Sequence, residues 1–173
     1  ASTFDGVRSH LPTDVVQAAL LQARRDAIDA VVSFGGGSAM DTAKAARLVA
    51  TQGGPYLRFA GGGVAYEPPV LPLVTVPTTA GTGSEVSGGC VITDTATDTK
   101  AGIAGPNLRA QHALVDPELT YGLPPAPTMY AGVDALAQAI AAVVVRPRTP
   151  IGNAIALEAT RLAGGALPAV VRE

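Results

Sequence analysis

Three consecutive glycines at positions 35–37 separate a short apolar segment from a segment of helix-forming residues. The apolar segment, residues 30–34, has the length and composition of a buried parallel strand. From Asp41 to about Ala50 the alanine-rich sequence predicts a helix. A strand, a tight glycine turn and a helix in direct succession are typical of α/β folds, so this feature restricts the chain to that class.

The rest of the chain continues the alternation of strands and helices. With 173 residues, of which 47% are hydrophobic, the chain is long enough to bury a core. We expect a first helix over residues 13–27, with Thr13 as its cap, and a glycine- and proline-rich loop over residues 53–69. Further strands are expected at residues 71–76, 90–93 and 113–115, and further helices at residues 129–145 and 151–162. The sequence thus predicts an α/β fold with a mostly parallel sheet over residues 1–123, followed by a helical domain that begins at residues 124–173.

The glycine run has the properties of an anion site. Glycines allow a phosphate to approach the backbone closely, and the free N–H groups and dipole of a helix start favour negative charge. Ser38 adds a hydroxyl donor. The sequence is not a G-x-G-x-x-G fingerprint, because position 40 is Met, and no Gly-Lys-Ser/Thr of a P-loop follows. The alternatives are a simple tight turn, with Asp41 as a helix cap or first-turn residue and Lys44 as a solvated helix residue.

A second loop, residues 77–85, combines hydroxyl side chains with glycines and also follows a predicted strand. Both loops would then lie at the carboxyl ends of parallel strands, where open α/β sheets bind their ligands. Its composition suits a polyhydroxylated or phosphorylated ligand; the alternative is an ordinary flexible loop.

Composition and charge exclude several classes of protein. Twelve basic and 14 acidic residues give a net charge of −2, with no basic stripe for nucleic acid. The single cysteine, Cys90, excludes a disulfide framework and a cysteine-based zinc site. It is expected to be a small buried hydrophobe, with a reactive thiol as the alternative. The first residues lack the apolar core of a signal peptide, and no segment is expected to reach the length of a membrane span. We therefore expect a cytoplasmic protein with a small-molecule substrate and no nucleic-acid or membrane partner.

Residues suited to metal binding or acid–base catalysis are few. The two histidines, His10 and His112, lie far from other potential ligands in the sequence, and a surface or turn position is expected for each. Asp134 and Gln138 are four residues apart and share a helix face. An amide oxygen is a poor ligand for a transition metal, and no catalytic residue is predicted.

Four segments together resemble the iron-containing alcohol dehydrogenase family, in that family's order and approximate spacing. The opening, residues 4–12, is more similar to the maleylacetate reductase branch, whereas residues 78–85 are closer to the alcohol dehydrogenases. The four segments are Gly35-Gly36-Gly37-Ser38-Ala39-Met40-Asp41-Thr42-Ala43-Lys44, Pro77-Thr78-Thr79-Ala80-Gly81-Thr82-Gly83-Ser84-Glu85, Asp116-Pro117-Glu118-Leu119-Thr120 and Gly132-Val133-Asp134-Ala135-Leu136.

The resemblance implies a Rossmann-like fold, NAD or NADP as cofactor, and a homo-oligomer such as a dimer. Hydride would pass between the nicotinamide and an alcohol, a carbonyl compound or a maleylacetate-type substrate. The pyrophosphate would contact Gly36, Gly37 and Ser38, with Asp41 alongside. The adenosine or ribose side would be lined by Thr78, Thr79 and Thr82, and Lys100 would lie near the nicotinamide ribose.

The resemblance also implies a metal site, of iron or zinc, from which this sequence departs. Asp134 matches the first metal ligand, but Gln138 stands where the family has a histidine and Ala141 where it usually has a glutamate. Later ligand histidines would lie beyond Glu173, so the chain resembles an internal segment or a truncated relative. At most one of four expected ligands is present, and an iron site within this chain is not expected.

Three functions are compatible with these residues. The first is an NAD(P)-dependent oxidoreductase of this family. The second is a non-catalytic remnant that binds a nucleotide or a partner without turnover. The third is a protein of the related dehydroquinate synthase and glycerol dehydrogenase architecture, against which the loop at residues 77–85 argues.

Overall fold

The computed structural model describes residues 1–62, 66–67, 70–146 and 148–171. Its residues group into two compact units, one of Ala1–Pro77 with Ser84–Asp116 and one of Thr78–Gly83 with Pro117–Glu173. The first unit contains all the strands of the described chain, and the second contains the two long helices at its end. This arrangement of a parallel sheet followed by helices is the predicted α/β fold.

Three parallel strands form the sheet of the first unit, in the order β1-β2-β5. They are β1 (Val31–Gly35), β2 (Leu73–Pro77) and the short β5 (His112–Ala113). Leu73 and Thr75 of the central strand are fully buried. In β1, however, Val32 and Phe34 are 69% and 63% exposed. The expectation of a strand buried on both faces is therefore wrong for β1, because its second face is solvent-accessible in this chain.

The predicted third strand does not join this sheet. It forms β3 (Gly89–Asp94), which pairs antiparallel with β4 (Thr99–Ala104), a strand that the sequence analysis did not predict. Asp98 has a positive φ of 52° in the turn between them. The apolar pattern of β3 is compatible with either direction, and the short connection of four residues decides for a hairpin.

Two helices pack together in the first unit. They are α1 (Thr13–Arg25) and α2 (Gly37–Gln52). Pro12, not Thr13, is the N-cap of α1, which corrects the predicted cap. A 3₁₀ segment over Tyr56–Gly62 lies within the predicted loop, of which residues 63–65 and 68–69 are outside the described chain. Cys90 is 2% exposed in the apolar core, as predicted.

Arg47 connects α2 to the segments that precede β2 and β5. Its side chain is fully buried, and its two terminal nitrogens donate to the carbonyl oxygens of Leu71 at 2.7 Å and Leu108 at 2.6 Å. The same guanidinium also reaches the carbonyl oxygens of Asn107 and Arg109. Backbone carbonyls therefore satisfy this buried cation. The same hydrogen bonds fix the position of α2 against the segments that lead into β2 and β5.

The second unit contains α3 (Pro125–Val144) and α4 (Pro150–Val170), which pack on each other. They approach closely at Gly132, where an added Cβ would lie 2.3 Å from Leu167 Cδ1. By length and composition α3 could cross a membrane, with a mean hydropathy of 1.3, so the expectation of no such segment is wrong. Its many alanines and valines keep the average high although Asp134 and Gln138 interrupt the run. One such helix is by itself weak evidence of a membrane span.

Candidate functional site

The two predicted ligand-binding loops begin at neighbouring points of one sheet edge. In the parallel pairing of β1 and β2, Gly35 is the register partner of Pro77. Both strands therefore reach their carboxyl ends side by side, one leading into the glycine turn and the other into the loop that starts at Thr78. This edge is where ligands bind in open α/β sheets.

The N-terminus of α2 is suited to an anion. Gly36 is its N-cap, and its carbonyl accepts the first helical hydrogen bonds, from the N–H groups of Ala39 and Met40. The N–H groups of Gly37 and Ser38 precede these bonds and point along the helix axis toward its start. The first turn contains no acidic residue. The helix dipole at this end is therefore uncompensated by an acidic side chain of that turn.

Asp41 is not the cap of this helix, which corrects one alternative interpretation. It lies in the second turn, and its carboxylate is held by other parts of the first unit. Oδ1 accepts a hydrogen bond from Ser84 Oγ at 2.6 Å, and Oδ2 accepts one from the backbone N–H of Val91 at 3.0 Å. This carboxylate links α2 to β3 and to Ser84, which directly follows residues Thr78–Gly83 of the second predicted loop (the threonine-glycine loop).

Lys44 is fully buried, so the interpretation as a solvated helix residue is wrong. Its Nζ donates to Ser84 Oγ at 2.9 Å, Ser87 Oγ at 3.1 Å and the carbonyl of Gly89 at 2.8 Å. Asp41 Oδ1 is 3.5 Å away. Burial lowers the pKa of Lys44 below its ordinary value, and the Asp41 carboxylate opposes part of that shift. Lys44 and Asp41 thus form one buried polar network around Ser84.

Local sequence could not reveal this network. Asp41, Lys44 and Arg47 are spaced by three residues, which in isolation predicts the polar stripe of a solvent-facing helix. The stripe instead faces backbone carbonyls and hydroxyls supplied by residues 24 to 64 positions further along the chain. The one available signal was the pair of serines, Ser84 and Ser87, which a buried cation needs as acceptors.

Lys100 lies on β4, where its register partner across the hairpin is Thr93, and it is exposed. Lys100 thus belongs to a strand that the sequence did not predict. Its predicted role near a nicotinamide ribose stays a prediction.

The threonine-glycine loop belongs to the second unit and packs on α3. A Cβ added to Gly81 would lie 2.0 Å from the carbonyl oxygen of Ala131, so only glycine allows this approach. Thr78 is half-buried, and Thr79 Oγ1 is a buried atom with no hydrogen-bond partner among the described residues. An unsatisfied buried hydroxyl is uncommon in a folded protein and is consistent with a ligand contact.

Asp134 and Gln138 lie on α3 in the same unit, and both are exposed. Gln138 Nε2 donates to Asp134 Oδ2 at 2.8 Å and contacts the carbonyl oxygen of Thr82 at 3.4 Å. In the described ranges no three residues of the types His, Cys, Asp and Glu lie close enough to hold one metal ion. The donor set here, one carboxylate facing an amide N–H, does not fit a transition metal.

The first unit also contains a cleft that the sequence did not predict. It has a volume of about 670 Å³ and lies beside residues 2–7, α1, β1 and α2. Ser33 Oγ lines it, buried and without a hydrogen-bond partner in the described part of the chain. The one sequence signal for Ser33 was that a polar residue stands in the middle of an apolar strand.

Comparisons with known proteins show which family the chain is similar to. The sequence model of the family described as iron-containing alcohol dehydrogenase matches residues 1–117. The NAD-dependent methanol dehydrogenase of Bacillus methanolicus is 43% identical over 148 residues, which cover 86% of this chain and 39% of that protein. The chain therefore spans about two fifths of the length of this curated relative.

Solved structures give the same result. The sulfoacetaldehyde reductase of Bifidobacterium kashiwanohense, solved in complex with NAD+, is 36% identical with a TM-score of 0.93 over 100% of this chain and 46% of that one. The maleylacetate reductase of Agrobacterium tumefaciens is 32% identical with a TM-score of 0.77, over 96% of this chain and 41% of that one. The matched family model covers more than half of the chain, and the chain belongs to the iron-containing alcohol dehydrogenase family.

Proposed function

We propose that this chain carries the dinucleotide-binding part of an NAD-dependent oxidoreductase that acts on small alcohols or aldehydes. The nicotinamide would accept or deliver the hydride. The observation that carries the proposal is the register of Gly35 with Pro77, which starts both candidate loops at one edge of the parallel sheet. The NAD-dependent methanol dehydrogenase and the NAD+-bound sulfoacetaldehyde reductase support the choice of cofactor.

The start of α2 is the proposed pyrophosphate site. The backbone N–H groups of Gly37 and Ser38 would donate to phosphate oxygens, and the helix dipole would favour their charge. Gly36 leaves the approach to these donors free of a side chain. Asp41 and Lys44 would act indirectly, because their polar atoms bond to Ser84, Ser87 and the backbone around them. We therefore assign Asp41 to positioning the loop rather than to contacting the cofactor.

The remaining predicted residues are proposed to line the nucleoside portions. The hydroxyl of Thr79, buried without a partner in the described chain, is suited to bond with a ribose or adenine group. Thr78 and Thr82 belong to the same loop. The exposed amine of Lys100 would act at the nicotinamide ribose. These assignments follow the family resemblance residue by residue.

A small alcohol or aldehyde is the proposed substrate class, because the matched relatives are named for methanol and sulfoacetaldehyde. A maleylacetate-type substrate is the second candidate, favoured by the likeness to a maleylacetate reductase structure at a lower TM-score of 0.77. We further propose a cytoplasmic homo-oligomer, with residues 1–123 in the nucleotide-binding domain and residues 124–173 opening the helical one.

Binding of NADH tests the proposal directly. Ser38→Asp places a carboxylate at the start of α2, which the helix dipole tolerates or favours by about 0.3–1 kcal/mol. The same carboxylate repels a pyrophosphate. We expect wild type to bind NADH in a calorimetric titration and Ser38→Asp to bind at least about tenfold more weakly, a loss of about 1.4 kcal/mol. Its thermal midpoint should stay at or above that of wild type.

Ser38→Asn is the matched control, because it keeps size and polarity without adding charge. It should bind NADH within a few-fold of wild type. Equal NADH affinity of Ser38→Asp and wild type would argue against the proposed phosphate site. Absence of NADH binding to the wild-type chain would argue against the cofactor itself.

A nucleotide-binding protein without turnover is the second candidate function. The observation that favours it is Gln138, whose amide stands where the family has a histidine ligand. Oxidation of NADH by the 173-residue chain in the presence of sulfoacetaldehyde would exclude it. Nucleotide binding with no turnover of any alcohol, aldehyde or maleylacetate would support it.

A further inference from the structure

The Gln138 amide lies where two oxygen atoms converge. Its nitrogen is 2.8 Å from Asp134 Oδ2 and 3.4 Å from the carbonyl oxygen of Thr82. A primary amide has two N–H donors, which is enough for both acceptors. A carboxylate oxygen and a backbone carbonyl oxygen directed at one point are also the kind of arrangement that surrounds a cation. Here a neutral donor group stands at that point.

The orientation of the amide follows from these neighbours. If oxygen and nitrogen were exchanged, Gln138 Oε1 would lie 2.8 Å from a carboxylate oxygen with no proton between them. Repulsion between the two acceptors disfavours that arrangement. The amide oxygen consequently faces away from Asp134, and the carboxylate has an N–H group beside it instead of a second oxygen ligand. The methyl side chain of Ala141, one turn further along α3, has no atom that could bind a metal ion.

The same amide reaches the threonine-glycine loop. Ala131, Asp134 and Gln138 are spaced three and four residues apart, so they follow one face of α3. Gly81 packs directly on Ala131, and the carbonyl of Thr82, the next residue, faces Gln138. Helical side chains lean toward the N-terminus, which allows Gln138 to reach back toward Asp134 and this loop.

We propose that Gln138 replaces a divalent metal ion at Asp134. Its two N–H groups donate hydrogen bonds to the oxygen atoms that a cation would otherwise bind. These hydrogen bonds hold the threonine-glycine loop on α3 without a metal. These contacts lie within the second unit and are the same whether or not the chain turns over an alcohol.

Cobalt(II), added alone to metal-free protein, is the probe for this proposal. Wild type, Q138H, D134N and the double variant D134N/Q138H would be compared by equilibrium dialysis and by the visible absorption of bound Co²⁺. We expect wild type and D134N to retain Co²⁺ equally weakly. Q138H replaces the amide with an imidazole ligand four residues from a carboxylate, and its Co²⁺ affinity should rise at least about tenfold. The double variant should lose that gain.

Thermal unfolding gives a second readout. Because a ligand that binds only the folded state stabilises it, Co²⁺ should raise the unfolding midpoint of Q138H and leave wild type unchanged. Q138A, which removes both the amide and any ligand, should not respond to Co²⁺. Stoichiometric Co²⁺ binding by wild type that D134N abolishes would overturn the proposal. So would a Q138H variant that binds Co²⁺ no more tightly than wild type does.

Discussion

At the scale of single residues, burial gives charged side chains of α2 a structural role. Lys44 and Arg47 are both fully buried, and among the described residues only Lys44 has a carboxylate within ion-pair distance, that of Asp41 at 3.5 Å. Hydroxyl and carbonyl oxygens solvate them. Such cations specify one arrangement of the chain, because a shift of any acceptor would leave an unsatisfied charge in the core.

Lys44→Met tests the contribution of this network to stability. The methionine fills a similar volume but leaves Ser84, Ser87 and the Gly89 carbonyl without their shared donor. We expect a loss of about 2–3 kcal/mol in the free energy of unfolding measured with urea. Lys100→Met is the control, because Lys100 is exposed on β4 and its replacement should change stability by less than about 0.5 kcal/mol. Equal stability of the two variants would contradict the role of Lys44.

Because the thiol of Cys90 is buried, we expect the folded state to lose stability at alkaline pH. Burial is the main cause that raises the pKa of this thiol from 9.0 to about 12. Between these values the unfolded chain releases the thiol proton and the folded chain keeps it. The folded state thus binds more protons, and stability present below pH 9.0 falls as the pH rises toward about 12.

Cys90→Ala removes this titration, so its free energy of unfolding should decline less steeply than that of wild type over the same pH range. Urea unfolding at several pH values measures the two slopes. Tyr56, whose pKa burial raises to about 12, remains in both proteins and contributes equally to each. Parallel slopes would show that the thiol is not titrated in this way.

At the scale of elements, close packing of the threonine-glycine loop on α3 depends on one missing side chain. Gly81→Ala brings a methyl group against the Ala131 backbone. Because the atoms it meets belong to the backbone, rotation of a side chain cannot relieve the clash. We expect it to lower the unfolding midpoint by several degrees, in line with about 1–3 kcal/mol for overpacking. Any NADH affinity that depends on Thr79 should fall as well.

The control is Gly102→Ala on β4, where an added Cβ has no atom within 4 Å. The added side chain reduces the entropy of the unfolded chain, so the variant should be neutral or slightly more stable. Calorimetric unfolding of both variants makes the comparison. A Gly81→Ala protein as stable as Gly102→Ala would mean that the loop moves away from α3 without cost.

At the scale of the whole molecule, large apolar side chains are exposed along the last helix, α4. Ile151, Ile155 and Leu162 follow one face of α4 and are 74%, 65% and 55% exposed. Apolar patches of this kind favour association, in agreement with the proposed homo-oligomer. The composition that predicts a sizeable core therefore also supplies surface available for contacts.

Ile155→Glu should reduce self-association of the chain, because it places a charge within this patch. Sedimentation velocity at several protein concentrations measures the effect, and the unfolding midpoint should stay within about 2 °C of wild type, since an exposed residue carries little packing energy. Leu21→Glu, at an exposed leucine on α1 (57%), is the control and should leave association unchanged. A wild-type chain that is monomeric at all concentrations would argue against association through α4.

Local patterns were sufficient to predict the strand, glycine turn and helix at residues 30–50, the order of most other elements, and the burial of Cys90. These features depend on neighbours within a few positions: apolar runs favour buried strands, and alanine-rich segments favour helices. The sequence motifs were likewise enough to identify the family. The direction of β3, the existence of β4 and the exposed face of β1 depended on which strand lies beside which.

Only the tertiary structure decided the environment of Asp41, Lys44 and Gln138. Beside near neighbours such as Asp134 for Gln138, their partners include residues 40 to 56 positions away. Without those distant partners, the polar stripe of Asp41 and Lys44 would face solvent. Charge and burial depend on long-range packing, whereas the tendency to form a helix or strand is largely local. A lysine that sequence spacing places at the surface is, for that reason, the buried centre of a polar network in the folded protein.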